Sequence, residues 1–136
     1  MIENLKERNQ QLIEEFRANG RRLTGRPLLL LTTTGARTGR PHTTPMMFVE
    51  DRDRVLVIAS AAGAPRHPAW YHNLVANPAV TVERDGETYA ATAVPLTGED
   101  RDETFARIVE RYPFFAEHQA GVSRRIPVIA LQHAAA

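Results

Sequence analysis

Two glycines and two arginines lie close together in the first third of the chain. Gly35 ends a run of leucines and threonines, Arg37, Gly39 and Arg40 follow within five residues, and Pro41 opens a second extended run. Glycine lets the backbone bend so that several N–H groups point at one spot, an arrangement that binds anions. Arginine adds forked, charged donors that suit phosphate or carboxylate. This spacing indicates a strand–loop–strand clamp for an anionic small molecule, and the alternative is an ordinary solvated hairpin loop.

Two later segments carry residues that would complete such a site. Ser60 ends a third apolar run, where its hydroxyl either faces the mouth of a barrel or bonds to local backbone. Trp70 and Asn73 lie one turn apart on a short predicted helix. This pair either packs a ligand ring and holds a polar group, or belongs to the core.

A later predicted helix is broken at the aromatic sequence Tyr112-Pro113-Phe114-Phe115, and we expect an irregular stretch that contains His118 to follow it. Tyr112, Phe115 and His118 form either the apolar wall of a pocket or simple packing at the barrel end. His67 and His72 are five residues apart, so they do not share a helix face as a metal-binding pair would. We therefore predict no metal site, and we expect a bound organic cofactor to carry any chemistry.

The composition narrows the class of protein. A length of 136 residues predicts one domain, and the absence of cysteine excludes disulfides and thiolate catalysis. A formal net charge of +1 does not favour nucleic acid as a partner. No apolar run reaches the length of a membrane span, so the expected location is the cytoplasm, with contact at the inner face of the plasma membrane as an option.

The periodicity of the sequence predicts a mainly β (α+β) fold. A first helix spans 2–19 and ends at Gly20; its thin apolar stripe, which Asn9 interrupts, either packs on the domain or lies on a lipid surface. Turn signals, including Asp85-Gly86, separate about six strands. Two further helices are predicted, one at 69–76 and one that starts at Thr97 or Glu99 and runs to about Arg111. We expect a single small antiparallel barrel over 26–131, preceded by the helix of 1–20 and followed by a tail at 132–136.

Three segments of the chain resemble one known family. They are TTTGARTGRPHTTPMMF (Thr32–Phe48), VIASAAGAPRHPAWYHNLVANPAVTV (Val57–Val82) and YPFF…RRIPV (Tyr112 to Val128). In order and spacing they are similar to the deazaflavin-dependent nitroreductases, which use coenzyme F420 and occur mainly in actinobacteria. The resemblance implies a split β-barrel of the flavin-reductase type.

The resemblance also implies positions for the cofactor. It places Arg37, Thr38 and His42 near the phosphate and glutamyl tail, and it places Trp70 and Asn73 where the site closes. The residues implied along the deazaflavin ring are Thr43, Thr44, Pro45, Met46, Met47, Ile58, Ala59, Ser60 and Ala61.

This chain departs from the family at several of these positions. Ala61 stands where members often carry a basic residue, so Arg66 or Arg40 is expected to supply that charge. The positions that line the substrate pocket with tyrosine in well-studied members match Met47, Tyr112, Phe115 and His118 here, and only Tyr112 keeps the phenol. A more apolar, adaptable pocket follows, so reduction of nitroimidazoles is not implied.

The implied reaction is transfer of a hydride from reduced deazaflavin to a quinone, a nitro compound or another electron-poor hydrophobic acceptor. Ser60 and Tyr112 are the catalytic candidates, as groups that bond to or protonate the oxygen that gains charge, with His118 as a further option. Two alternatives remain: a barrel that carries a cofactor, haem-like molecule or lipid without turnover, and a reductase that uses FMN. The sequence does not set the oligomeric state.

Overall fold

A computed structural model describes residues 5–21 and 27–134, with side chains from residue 7 onward. Four α-helices and six β-strands make up this part of the chain. In order they are α1 (Leu5–Ala18), β1 (Leu28–Thr34), β2 (Pro41–Asp51), β3 (Arg54–Ile58), α2 (Ala69–Ala76), β4 (Ala79–Arg84), β5 (Glu87–Pro95), α3 (Gly98–Arg111), α4 (Phe114–Ala120) and β6 (Val128–His133), with a 3-10 turn at Ala61–Gly63 between β3 and α2.

The six strands close into an antiparallel barrel in the order β1-β2-β3-β6-β5-β4. Closure depends on β1, which pairs on both edges: Leu31 lies opposite Thr44 of β2 on one side and Val82 of β4 on the other. The short Asp85-Gly86 turn joins β4 to β5 with Arg84 opposite Glu87. The predicted six-stranded antiparallel barrel is confirmed.

Alternation along each strand divides the apolar residues between two faces. Leu29, Val57, Val82 and Ile129 belong to a cluster inside the barrel, which receives side chains from all six strands. Leu74 of α2 is buried in the same cluster and closes one end of the barrel. A ligand on the outside of the barrel therefore meets only the alternate, outward residues of each strand.

Two helical layers cover the outside of the barrel. Phe105 and Ile108 of α3 and Phe115 of α4 pack on the outer faces of β3 and β6. On the opposite side, Ile13 and Phe16 of α1 pack on Leu30 of β1. The packing alternative for the first helix is confirmed over its described part, while residues 2–4 of the predicted helix lie outside the described residues. None of the described helices is long and apolar enough to cross a membrane.

Three local predictions need correction. The stretch after Tyr112 is helical rather than irregular, since Pro113 occupies the N-cap of α4 instead of only ending α3; three further helices, not two, surround the barrel. The third strand ends at Ile58, two residues before Ser60. The last strand extends to His133, whose ring stacks on Tyr89 with centroids 4.3 Å apart, so the tail predicted to begin at residue 132 starts in the sheet.

Candidate functional site

Residues 35–40, here called the clamp loop, form a tight connection between β1 and β2. The Gly35 N–H donates to the Arg40 carbonyl at 2.8 Å, and the Gly39 N–H donates to the Gly35 carbonyl at 2.9 Å. Gly39 has φ +71°, a conformation that favours glycine, and the Thr38 hydroxyl accepts the Arg40 N–H at 3.2 Å. The loop thus has a defined, internally hydrogen-bonded backbone, and its residues 36–40 are exposed to solvent.

Asn73 of α2 is hydrogen-bonded to the clamp loop and to the end of β1. Its Oδ1 accepts the Ala36 N–H at 3.0 Å, and its Nδ2 donates to the Thr33 hydroxyl at 3.2 Å. Both ends of the amide are therefore bonded to the protein. The predicted role of Asn73 in closing the site becomes, in this geometry, a role in holding the loop that forms it.

A cleft of about 880 Å³ opens between the clamp loop, α2 and α1. This volume lies within the range of sites for small organic ligands. Seven of the predicted cofactor residues line it: Arg37, Thr38, His42, Thr43, Thr44, Trp70 and Asn73. The structure thus brings the clamp and the α2 pair together, although they are separated by about thirty residues in the sequence.

The first helix contributes a wall of the cleft that the sequence analysis missed. Asn9, Gln10, Ile13 and Arg17 of α1 all line it. The signal was present in the interruption of the apolar stripe at Asn9, where a helix that only packed on a barrel would be expected to carry an apolar residue. Arg17 is held there by Glu83, a buried carboxylate on β4, at 2.8 Å.

The charged side chains that line the cleft are basic. Its lining includes two arginines and two histidines, and none of the described lining residues is an aspartate or glutamate. Arg17 is neutralised by Glu83, whereas Arg37 is exposed. Ile13 and Trp70 supply apolar surface in the same cleft. The arrangement suits a ligand with an anionic part and an apolar part.

The residues predicted along the cofactor ring are divided by the alternation of the strands. Met46 packs into the interior of the barrel and Ala59 is fully buried there. Met47 and Ile58 lie on the outer face, against the layer formed by α3 and α4, and Pro45 shares that face by alternation. Only the outward group can present side chains to a ligand lying on β2 and β3.

The turn after β3 has an unusual backbone. Ala61, Ala62 and Gly63 have φ values of 49°, 54° and 81°, all in the left-handed region. This conformation costs an alanine about 1–2 kcal/mol, so contacts from elsewhere must maintain it. Ser60, which precedes these residues, is buried, and its side chain makes no capping hydrogen bond to the turn. Its hydroxyl is therefore not committed to closing the turn.

Arg124, in the segment between α4 and β6, supplies those contacts. Its guanidinium donates to the carbonyls of Ala59 at 3.0 Å, Ser60 at 2.8 Å and Ala64 at 3.0 Å, and it lies 3.0 Å from His67 Nδ1. Burial, with the charge of Arg124 and that of His72 adding to it, lowers the pKa of His67. The sequence predicts Arg66 or Arg40 beside this turn; within the part of the chain that the structure describes, the arginine bonded to it is Arg124.

The residues predicted for the acceptor pocket meet on the α4 side of the barrel. Phe115 is buried in the outer core, and Met47 and Tyr112 pack against the same cluster. His118 lies against Gly63, where an added Cβ would be 3.5 Å from its Cα, and its buried Nδ1 has no hydrogen-bond partner among the described residues. These four residues are not in the cleft lining, so the predicted site has two parts.

Within the described residues, no group of three or more histidine, cysteine, aspartate or glutamate side chains is placed to hold a metal ion. The donors that the cleft offers are N–H groups, hydroxyls and a guanidinium. Such donors suit phosphate and carboxylate oxygens.

Comparisons with known proteins identify the family to which the chain is similar. The model of the F420H(2)-dependent quinone reductase family matches residues 6–133. A Mycobacterium tuberculosis F420H(2)-dependent quinone reductase is 40% identical over 121 residues, which cover 82% of this chain and 78% of that protein. A solved F420-H2 dependent reductase is 41% identical with a TM-score of 0.70, covering 79% of this chain and 95% of its own. A structure described as a domain-swapped dimer is 36% identical with a TM-score of 0.73, covering 94% and 96%.

Proposed function

We propose, because this chain belongs to the F420H(2)-dependent quinone reductase family, that its cleft holds coenzyme F420 by the anionic tail and that α4 borders the acceptor. The protein is an F420H2-dependent oxidoreductase, and the family supports a quinone as the acceptor class without singling out nitro compounds. When bound, F420H2 supplies the hydride. The roles of individual residues form the proposal.

The observation that carries the proposal is the cleft with cationic and neutral lining described above. Arg37, which is exposed beside the cleft, is the charged donor for the phosphate or glutamyl carboxylates. Thr38 and His42 add hydrogen-bond donors from the clamp loop and from the start of β2. Trp70 and Ile13 exclude water from the part of the ligand nearest the barrel.

The outward residues of β2 and β3 continue from the cleft toward α4. We assign Thr43, Pro45, Met47, Ile58 and Ala61 to the surface on which the ring of the cofactor rests. The roles of Met46 and Ala59 are then confined to shaping the barrel beneath the ring, since both pack in the interior. Thr44 lines the cleft itself.

On the acceptor side, the chain must bond to the quinone oxygen that gains negative charge and deliver a proton to it. The Ser60 hydroxyl and the Tyr112 phenol are the groups proposed for this, while Phe115 and Met47 provide apolar contact. His118 is a second proton donor for the same oxygen, because its Nδ1 is buried without a partner among the described residues.

The apolar face of α1 packs against β1, so membrane contact through that face is not part of the proposal. A cytoplasmic location stays a prediction of the sequence. The relative described as a domain-swapped dimer makes a dimer of this chain a subject for measurement by light scattering.

The test is titration of the purified protein with F420 and, separately, with FMN, followed by assay of F420H2 oxidation with a quinone. We expect F420 to bind more tightly than FMN, and Arg37→Ala to weaken F420 binding by roughly 10-fold, the effect of losing one charged hydrogen bond. Arg52→Asn is the matched control: it removes the same charge from the β2–β3 turn, where asparagine tolerates the left-handed conformation of Arg52 (φ 50°).

Each other outcome points to a specific failure. Equal weakening by Arg37→Ala and Arg52→Asn would mean that net charge, not the clamp loop, attracts the ligand. Tight F420 binding without quinone turnover would favour a barrel that carries the cofactor without turnover. Tighter binding of FMN than of F420 would contradict the assignment of F420 as the cofactor.

A further inference from the structure

Arg124 makes contacts that link three parts of the fold. Its guanidinium bonds to carbonyls at both ends of the turn after β3, at Ala59, Ser60 and Ala64. The same group reaches His67, whose ring lies 4.7 Å from that of Tyr71 in α2. One side chain therefore joins the segment before β6, the turn that carries Ser60, and the helix that carries Trp70 and Asn73.

The turn does not hold its conformation through its own hydrogen bonds alone. Two short bonds lie within it, from the Gly63 N–H to the Ser60 carbonyl and from the Ala64 N–H to the Ala61 carbonyl. Against these, Ala61 and Ala62 both adopt left-handed conformations that alanine disfavours. The charged donors of Arg124 are the external contacts to the carbonyls that flank the strained residues.

We propose that Arg124 is a positioning residue for the reaction: it fixes the Ser60–Ala64 turn so that the Ser60 hydroxyl faces the acceptor. The inference rests on the proposed function of Ser60. It assigns no contact between Arg124 and either the cofactor or the acceptor, because the four hydrogen bonds of its guanidinium described above are all to the protein.

The geometry requires arginine rather than any cation. The three carbonyls are reached from three different nitrogens, Nε, Nη1 and Nη2. A lysine ammonium carries its three donors on a single nitrogen, so it lacks the planar fork whose separate nitrogens each meet one of these carbonyls. Arg124→Lys keeps the charge and removes this arrangement.

His67 completes the arrangement as an acceptor. Because guanidinium nitrogens only donate, His67 Nδ1 must be unprotonated, and the ring proton lies on Nε2. The imidazole thereby orients the Nη1 end of Arg124 from the α2 side.

The experiment compares Arg124→Lys and Arg124→Met with Arg125→Lys, a matched control at the next residue, whose exposed side chain pairs with Asp102. Turnover is measured with F420H2 and a quinone, F420 affinity by fluorescence titration, and folding by thermal melting. We expect both Arg124 variants to lower kcat about 10-fold while F420 affinity changes less than about 3-fold, the pattern of a lost transition-state contact. Arg125→Lys is expected to match the wild type.

A double-mutant cycle separates positioning from general destabilisation. If Arg124 acts through Ser60, Arg124→Lys should lower kcat much less in a Ser60→Ala background than in the wild type. Equal losses in the two backgrounds would overturn the proposal, as would a wild-type kcat in Arg124→Lys.

The effect of Arg124 on the turn can still be measured if the proposed function is wrong. Should the wild type itself show no quinone turnover, amide hydrogen exchange at Gly63 and Ala64 is compared between Arg124→Lys and Arg125→Lys. Faster exchange in the Arg124 variant alone would support the positioning of the turn, and equal exchange would contradict it.

Discussion

Gly35 and the His42 ring approach so closely that a side chain at position 35 would have to displace the ring. A Cβ added at Gly35 would lie 2.9 Å from His42 Nε2, and it would also lie 2.6 Å from the Thr38 hydroxyl. Thr38 belongs to the clamp loop and His42 to the start of β2. A glycine at position 35 therefore lets the Thr38 and His42 side chains approach the backbone closely. This is a second role for Gly35, besides the backbone flexibility predicted from the sequence.

We predict that Gly35→Ala weakens F420 binding. The added methyl group must displace Thr38 and His42, two residues proposed to contact the cofactor tail, and a loss of roughly 10-fold in affinity is expected from one displaced hydrogen bond. Fluorescence titration measures it. Gly121→Ala is the control, because a Cβ there meets only ordinary contacts at 3.6 Å or more. An unchanged affinity in Gly35→Ala would show that the clamp loop does not contact the ligand.

Asn73 gives a prediction about the support of the same loop. Asn73→Ala removes both bonds that tie Ala36 and Thr33 to α2, so the loop should lose order and F420 affinity should fall about 5- to 10-fold, the effect of one or two neutral hydrogen bonds. Asn73→Asp keeps the acceptor for Ala36 but places a negative charge in a cleft otherwise without described carboxylates, so it should weaken binding further.

The control for both Asn73 variants is Val75→Ala on the same helix, where the side chain is 54% exposed. Titration at low and high salt separates the two effects, since only the Asp variant should recover part of its affinity as the added repulsion is screened. If Asn73→Ala bound F420 like the wild type, the amide would have no part in shaping the site.

A third prediction concerns Ser60. Ser60→Ala should lower kcat roughly 100-fold, the lower end of the range for removing one donor to a developing oxyanion, with little change in F420 affinity. Steady-state kinetics with a quinone and a cofactor titration give the two numbers. Equal losses in turnover and affinity would contradict a catalytic role and assign the serine to cofactor binding.

The fold could be predicted from the sequence because local signals agreed with one another. The runs after Leu28 and before Ser60, and the Asp85-Gly86 turn, mark strands whose lengths and short connections favour antiparallel closure. The helix after Tyr112 was not predicted, because Pro113 was interpreted only as the end of α3. In the structure the same proline is also the N-cap of α4.

The site could be predicted only in part. The clamp loop could be predicted because its glycines and arginines lie within six consecutive residues, 35–40, so their types and spacing are visible in the sequence. The α1 wall and the contacts of Arg124 were not predicted, since they depend on packing between segments far apart in the sequence: Arg124 lies 64 residues from Ser60. Strand alternation predicts that Met46 and Met47 point to opposite faces of β2. Which of the two points into the barrel follows only from the closed structure.

The last prediction concerns the attachment of α1 to the barrel. Glu83 is 4% exposed and accepts bonds from Arg17 at 2.8 and 3.0 Å and from Arg21 at 3.2 Å. The hydrogen bond from Arg17 lowers the pKa of Glu83 below 4.5, against the opposing effect of burial. The unfolded chain therefore binds the proton first as pH falls, so this contribution to stability is full above about pH 4.5 and is lost as pH falls through the lowered pKa.

Glu83→Gln should lower the free energy of unfolding by about 1–3 kcal/mol at neutral pH, because the arginine donors lose a charged, buried acceptor. Urea unfolding measures this, with Glu87→Gln on the exposed part of β5 as a control. The gap between wild type and Glu83→Gln should narrow as the pH is lowered below about 4.5, while other carboxylates of lowered pKa, such as Asp51, affect both proteins alike. A gap that stayed constant across this range would mean that the ion pair does not stabilise the helix that walls the cleft.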